Sequence, residues 1–210
     1  MRRLLLTTAL LVVGCADRTH FDLRQTIYFA PENSFLADCE GRPDCSANRL
    51  NAVKQGIDQW FMHFDAASRP RAVIVDSGSE IPGDSSNRPI RLKISVNSSC
   101  DKYGNWAACY YWEQGEDSEI TFRYSNYVNA LTVAHEFGHA IWSDGHVLDR
   151  SSVMDPYTSF IVTPLDVIEM CTANGSCPPY DSVWCQGTFF YENLCPSDSP
   201  EDAKAKHLTQ

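Results

Sequence analysis

The sequence predicts an α+β domain. One stretch places large apolar side chains at helical spacing, two stretches alternate apolar with polar residues, and a second helical stretch surrounds a histidine pair. In chain order, residues 48–64 put Leu50, Val53, Ile57, Trp60, Phe61 and Phe64 at near-helical spacing, which predicts a long amphipathic helix. Residues 72–75 are a short apolar run between Arg69-Pro70 and Asp76-Ser77-Gly78, read as a buried strand. Ile90, Leu92, Ile94 and Val96 alternate with polar residues and predict a half-buried strand over 90–96; Ile120, Phe122 and Tyr124 do the same for 119–124. The run 127–134 reads as a helix with Val128, Leu131 and Ala134 along an apolar stripe and Asn126 or Ser125 as its cap. Further on, Thr163-Pro164-Leu165-Asp166 is a helix start, with Thr163 as cap, Pro164 in the first turn and an acid at the third position. Val167, Ile168 and Met170 supply that helix with an apolar side.

The chemistry concentrates in HEFGHAIWSDGH, residues 135–146, and in SVMDPY, residues 152–157. In a helix of about 3.6 residues per turn, His135 and His139 lie one turn apart on one face, where both imidazoles reach a single metal ion. Glu136 lies beside that face, placed to take a proton from water at the metal without ligating it. A third protein ligand would leave one tetrahedral position open, which separates a catalytic zinc from a structural one. His146 is the simplest candidate, and Asp144 is the rival because carboxylates also bind zinc. Gly138 costs about 1 kcal/mol of helix propensity relative to Ala, so it needs a packing reason such as a close approach beneath the site. His20 and His63 lie far off in sequence and are expected to be ordinary surface or partly buried histidines.

These residues resemble the metzincin (zincin-like) metallopeptidases, and HEFGHAI is most similar to the matrixin branch. The family pattern is HExxHxxGxxH followed by a methionine on a tight turn. His135, Glu136 and His139 match it directly, Met154 matches the turn methionine, and Pro156 follows two positions later. The chain departs where Trp142 replaces the family glycine and Gly145 stands in place of the third histidine, with His146 one position late. A single inserted residue accounts for both. It implies a helix running about one turn past Trp142, with the reversal at Asp144-Gly145.

The element order strand, helix, strand, strand, strand, HExxH helix, beginning near residue 26, is that of a metzincin upper subdomain. The resemblance implies a twisted, mostly parallel sheet with an antiparallel edge strand, two long helices and a C-terminal helix over residues 26–172. It further implies an extended peptide substrate along the sheet edge, with residues 97–111 contributing to the rim, and makes Tyr157 a candidate for stabilising the oxyanion, though its offset from the methionine differs.

Residues 1–14 read as a signal peptide. Arg2 and Arg3 form a basic start, and 4–13 is an apolar run shorter than the about 20 residues that span a bilayer. Its end, Val12-Val13-Gly14-Cys15, resembles a bacterial lipobox, which makes Cys15 the lipidated residue and 15–25 a polar tether; a plain secretory signal is the alternative. Nine cysteines are present, and assigning Cys15 to lipid leaves an even set for an oxidising compartment. Cys39 and Cys45, like Cys100 and Cys109, are close enough for local bridges, whereas Cys171, Cys177, Cys185 and Cys195 suggest a cystine-rich tail over 173–210. Arg42-Pro43-Asp44-Cys45 has the composition of a zinc-blocking thiolate switch in the wrong order, so a disulfide is the expected role of Cys45.

A formal charge of −10 argues against nucleic acid as a partner. The expectation is therefore a monomeric zinc endopeptidase, lipid-anchored in a bacterial cell envelope at the outer membrane or cell surface. Zn2+ is its cofactor and a protein or peptide its substrate. The alternative is a non-enzymatic surface lipoprotein or adhesin module with a structural zinc. The aromatic stretch Trp106, Tyr110, Tyr111 and Trp112 would be its binding patch, or otherwise packing beside the cleft.

Overall fold

A computed structural model describes residues 21–37, 42, 44–64, 66–76, 81, 88–98, 100–101, 106–113, 117–142, 146, 152–155 and 161–174. Among the described residues ten elements follow in order: β1 (Ile27–Pro31), α1 (Asn33–Leu36), α2 (Cys45–Phe61), β2 (Ala72–Ile74), β3 (Ile90–Ile94), β4 (Ala108–Tyr111), β5 (Ser118–Phe122), a 3-10 turn (Ser125–Tyr127), α3 (Ala130–Ile141) and α4 (Pro164–Asn174). The strands form one five-stranded sheet in the order β2-β1-β3-β5-β4. β1 runs parallel to β2 and β3, and β3 parallel to β5; β4 alone is antiparallel, on the β5 edge. The fold is thus mixed α+β with a mostly parallel sheet and an antiparallel edge.

Period-2 alternation decides the core face. Ile27 and Phe29 of β1, Ile90 and Leu92 of β3, and Ile120 and Phe122 of β5 point to one side and are fully buried. α2 and α3 cover that side with Val53, Ile57, Trp60 and Phe61, and with Val133, Phe137 and Ile141. Phe137 is the hub, meeting Phe29 edge-on at 5.4 Å and Phe61 at 5.7 Å between ring centroids. Each such side chain contributes about 1.5–3 kcal/mol by leaving water. The opposite sheet face carries ion pairs, Lys93 with Glu119 at 2.6 Å and Arg91 with Asp117 at 3.0 Å. Such partly exposed pairs are worth about 0–1 kcal/mol each, so burial on the apolar face, not charge, sets the register.

Where α2 crosses α3, Gly56 lets the backbones close. A Cβ there would stand 2.6 Å from Val133 Cγ1 and 2.7 Å from the Ala130 carbonyl oxygen. Arg49 is buried at the start of α2; its Nε donates to the Cys45 carbonyl at 3.3 Å, its Nη2 donates to the Ala37 carbonyl, and its guanidinium lies over the Phe35 ring.

Several boundaries differ from the sequence expectation. The helix predicted over 48–64 is Cys45–Phe61, because Phe64 reaches the core from a turn whose amide bonds the Phe61 carbonyl, preserving apolar spacing without helix. The run at 72–75 forms an edge strand rather than a buried one, with Val73 42% exposed and pairing only to β1. β3 ends at Ile94 and β5 at Phe122, leaving Val96 and Tyr124 exposed. The antiparallel edge strand that the resemblance implied, without locating it, is the four-residue β4, and the four-residue α1 was not anticipated; both are too short to show periodicity.

Cys100 and Cys109 form a disulfide with Cα atoms 6.3 Å apart, and Cys45 and Cys171 are also disulfide-bonded. Cys15, Cys39, Cys177, Cys185 and Cys195 lie outside the described residues, as do the signal segment, most of the tether and nearly all of the tail. No helix among the described residues is long and apolar enough to cross a membrane.

Candidate metal centre

The helix bearing the histidine pair starts at Asn129, not at the predicted Asn126 or Ser125. The Asn129 Oδ1 accepts from the amides of Leu131 at 3.1 Å and Thr132 at 3.0 Å, while Ser125–Tyr127 turns as 3-10 helix before it. Val133, Ala134, Phe137, Ala140 and Ile141 then bury one side of α3, leaving His135 and His139 partly exposed on another. The helix stops at Ile141 and does not run a further turn. Trp142 leaves helical geometry at φ −128° and ψ −63° as its indole packs edge-on against Trp60 at 6.1 Å, a core contact that outweighs helical continuation.

The chain returns with His146. The His135, His139 and His146 rings form a nearly equilateral triangle with centroids 5.0, 5.1 and 5.0 Å apart. One nitrogen from each lies within 4.8 Å of the others, an arrangement that could hold a metal ion. His135 Nε2 and His146 Nε2 stand 3.2 Å apart. Two nitrogens bound at about 2.0–2.1 Å to one tetrahedral zinc would be separated by about 3.3 Å, so the spacing fits a shared ion. Asp144, Gly145, Pro156 and Tyr157 lie outside the described residues. His63 stands apart from the cluster, half-buried, with Nε2 donating to the Val162 carbonyl at 3.1 Å. Burial holds its pKa below the ordinary histidine value.

Residues 152–155 form a turn, the Asp155 amide bonding the Ser152 carbonyl at 3.2 Å. Its Val153 carbonyl sits 2.7 Å from His135 Nδ1. A carbonyl oxygen only accepts, so Nδ1 carries the proton and the Nε2 lone pair faces His146. Burial lowers the pKa of both His135 and His146, which favours the neutral, ligating form.

Met154 is fully buried beneath α3 and supplies the packing reason for Gly138. A Cβ on that glycine would lie 2.9 Å from Trp60 Cζ2 and closer still to the Met154 sulfur. Trp60 is itself held by its indole N–H, which donates to the Ala134 carbonyl at 2.8 Å.

The first turn of α4 braces the residue 152–155 turn from below. Ser152 Oγ donates to Asp166 Oδ1 at 2.6 Å, and Asp166 Oδ2 accepts from the Thr163 amide and hydroxyl, each at 2.8 Å. The Asp166 amide returns to Thr163 Oγ1 at 3.3 Å, closing a reciprocal capping box. Burial raises the Asp166 pKa, and the Ser152 and Thr163 hydrogen bonds oppose that rise.

Glu136, next to His135 in α3, is buried. Its Oε2 accepts the Tyr110 backbone N–H of β4 at 2.8 Å. Burial pushes its carboxyl up to about 8 despite that amide. Sequence reasoning missed the Tyr110 amide, the Val153 carbonyl and the Ser152–Asp166 bond. The Thr163-to-Asp166 capping signature marked Asp166 as structured, whereas nothing in the sequence marks a backbone amide of an edge strand whose residues it did not locate. No protein-family model and no curated protein matches the chain.

Proposed function

We propose that this chain is a zinc-dependent endopeptidase of metzincin type, carried on a bacterial cell envelope by a lipid on Cys15. The observation that carries the reading is the triangle of three imidazoles with the buried Glu136 carboxyl beside it. His135, His139 and His146 would hold the ion, and the Val153 carbonyl keeps His135 in the ligating tautomer. A bound zinc supplies Lewis-acid polarisation of the scissile carbonyl and an acidified water. Glu136 would take the proton of the attacking water once the charge of a cation beside it had drawn its carboxyl below the value of about 8 that burial imposes, and would return that proton to the leaving amine. The Tyr110 amide holds one carboxylate oxygen, leaving the other for the proton. The family resemblance places an extended peptide along the sheet edge, and β4 is the antiparallel edge strand beside Glu136.

The test uses the full chain loaded with zinc and an unfolded protein as substrate. A single chelatable zinc ion per chain is expected, and Glu136→Ala should retain it while hydrolysis falls by about 100-fold or more. Hydrolysis that survives Glu136→Ala would overturn the assignment. Zinc retained without hydrolysis in the wild type would instead identify a surface module with a structural ion.

A further inference from the structure

β4 is four residues long and pairs with the sheet on one side only. So short an edge strand is weakly held by its ladder alone. The Arg123 amide bonds the Ala107 carbonyl at 2.9 Å, and antiparallel alternation then turns Cys109 and Tyr111 towards β5. Tyr110 therefore directs its N–H away from the sheet, and that amide reaches Glu136.

The preceding residue, Cys109, is bonded to Cys100 in the β3–β4 connection. Cys109 lies opposite Thr121, and all three residues are buried on the face away from α3. The connection is itself braced: Asp101 accepts the Ser98 amide at 3.0 Å and the Trp106 indole N–H at 2.9 Å, and Ser98 Oγ accepts the Cys100 amide at 3.2 Å. The bridge thus ties β4 to the Ser98–Asp101 bonds of that connection, one residue away from the amide that aims the carboxylate.

We propose that the Cys100–Cys109 disulfide is a positioning element of this site, holding β4 where the Tyr110 amide orients Glu136. Its kinetic consequence rests on the endopeptidase reading; its structural consequence does not.

The experiment compares full-length, zinc-loaded wild type with Cys100→Ser/Cys109→Ser by amide hydrogen exchange and by hydrolysis of an unfolded protein. Exchange at Tyr110, and with it at the β4 ladder amide of Tyr111, should quicken by about tenfold or more, while the β5 amides of Ile120 and Phe122, which face β3, change little. Zinc content should hold, and kcat should fall about 10- to 100-fold with KM nearly unchanged, the pattern of a misplaced catalytic group. Cys100→Ala/Cys109→Val, which keeps apolar volume over Thr121 and a strand-favouring side chain, provides a second version should the first not fold.

Unchanged Tyr110 exchange, or exchange rising equally along β4 and β5, overturns the proposal. So does failure of both pairs to fold, which would make the bridge a requirement of the fold. A wild type without hydrolysis would remove the endopeptidase reading alone, since the exchange comparison stands without it.

Discussion

Replacing Gly138 with alanine sets two effects of opposite sign against each other, and the structure decides between them. In an exposed helix, Gly→Ala stabilises by about 1 kcal/mol through backbone entropy. Here the new methyl would lie 2.9 Å from Trp60 Cζ2 and closer still to the Met154 sulfur. Met154 is flexible but fully buried, and Trp60 is pinned by its bond to the Ala134 carbonyl, so neither can withdraw without displacing its surroundings. Overpacking of this kind costs about 1–3 kcal/mol, more than the propensity gain in most of its range. The expected net loss is about 0–2 kcal/mol, read as a fall of up to about 8 °C in the thermal midpoint. Because Met154 adjoins the Val153 carbonyl that orients His135, metal affinity should fall as well. A double-mutant cycle separates the causes. Met154→Ala alone should cost about 2–5 kcal/mol by opening a cavity. In that background Gly138→Ala should become neutral or stabilising by up to about 1 kcal/mol, since the removed sulfur gives the methyl its space. A Gly138→Ala chain more stable than wild type in the presence of Met154 would refute the reasoning.

Asn129→Ala should cost about 1 kcal/mol in denaturant unfolding by removing the α3 cap, and Asn126→Ala should cost much less; the reverse order would place the cap where the sequence alone suggested it. Asp166→Ala should cost about 1–3 kcal/mol, because the buried Ser152 hydroxyl loses its acceptor and α4 loses its capping box. Asp166→Asn, which keeps one acceptor oxygen, should cost less, and equal losses in urea melts would contradict the assigned bonds. The folded-state pKa of His63 lies below its unfolded value near 6.5, so the unfolded chain takes up the proton first as pH falls. Wild type should therefore lose stability relative to His63→Gln from about pH 6.5 down through the folded pKa, with no change in the difference at higher pH; a difference that stays flat from pH 8 to 5 would show that His63 protonates freely.

Much of the architecture was readable because it is written in short-range patterns. Alternation at 90–96 and 119–124 marked strands whose cores are β3 and β5, and the Thr163-to-Asp166 spacing placed the start of α4. The errors fell where periodicity and backbone geometry part. Phe64 continues an apolar stripe from outside its helix because a turn can aim a side chain into the core as well as a regular element does, whereas Tyr124 keeps the alternation in sequence but lies exposed beyond the end of its strand. The apolar run at 72–75 looks the same whether a strand has one neighbour or two, and only the sheet order makes β2 an edge. Trp142 was expected to prolong α3, but its contact with Trp60 ends the helix there.

The sequence by itself determined that His135, Glu136 and His139 share one helix, with the two imidazoles one turn apart. A relation between residues one and four positions apart needs nothing beyond helix geometry. The tertiary structure decided what those side chains meet: the His146 ring, the Val153 carbonyl under His135, the Tyr110 amide on Glu136, and Met154 against Gly138. These partners lie between 11 and 26 residues away along the chain in the three hydrogen-bond-range contacts His146–His135, His135–Val153 and Tyr110–Glu136. Separations of that size are bridged by how β4, the 152–155 turn and α4 pack around α3. That packing follows from the burial of the whole core, which no local stretch of residues encodes.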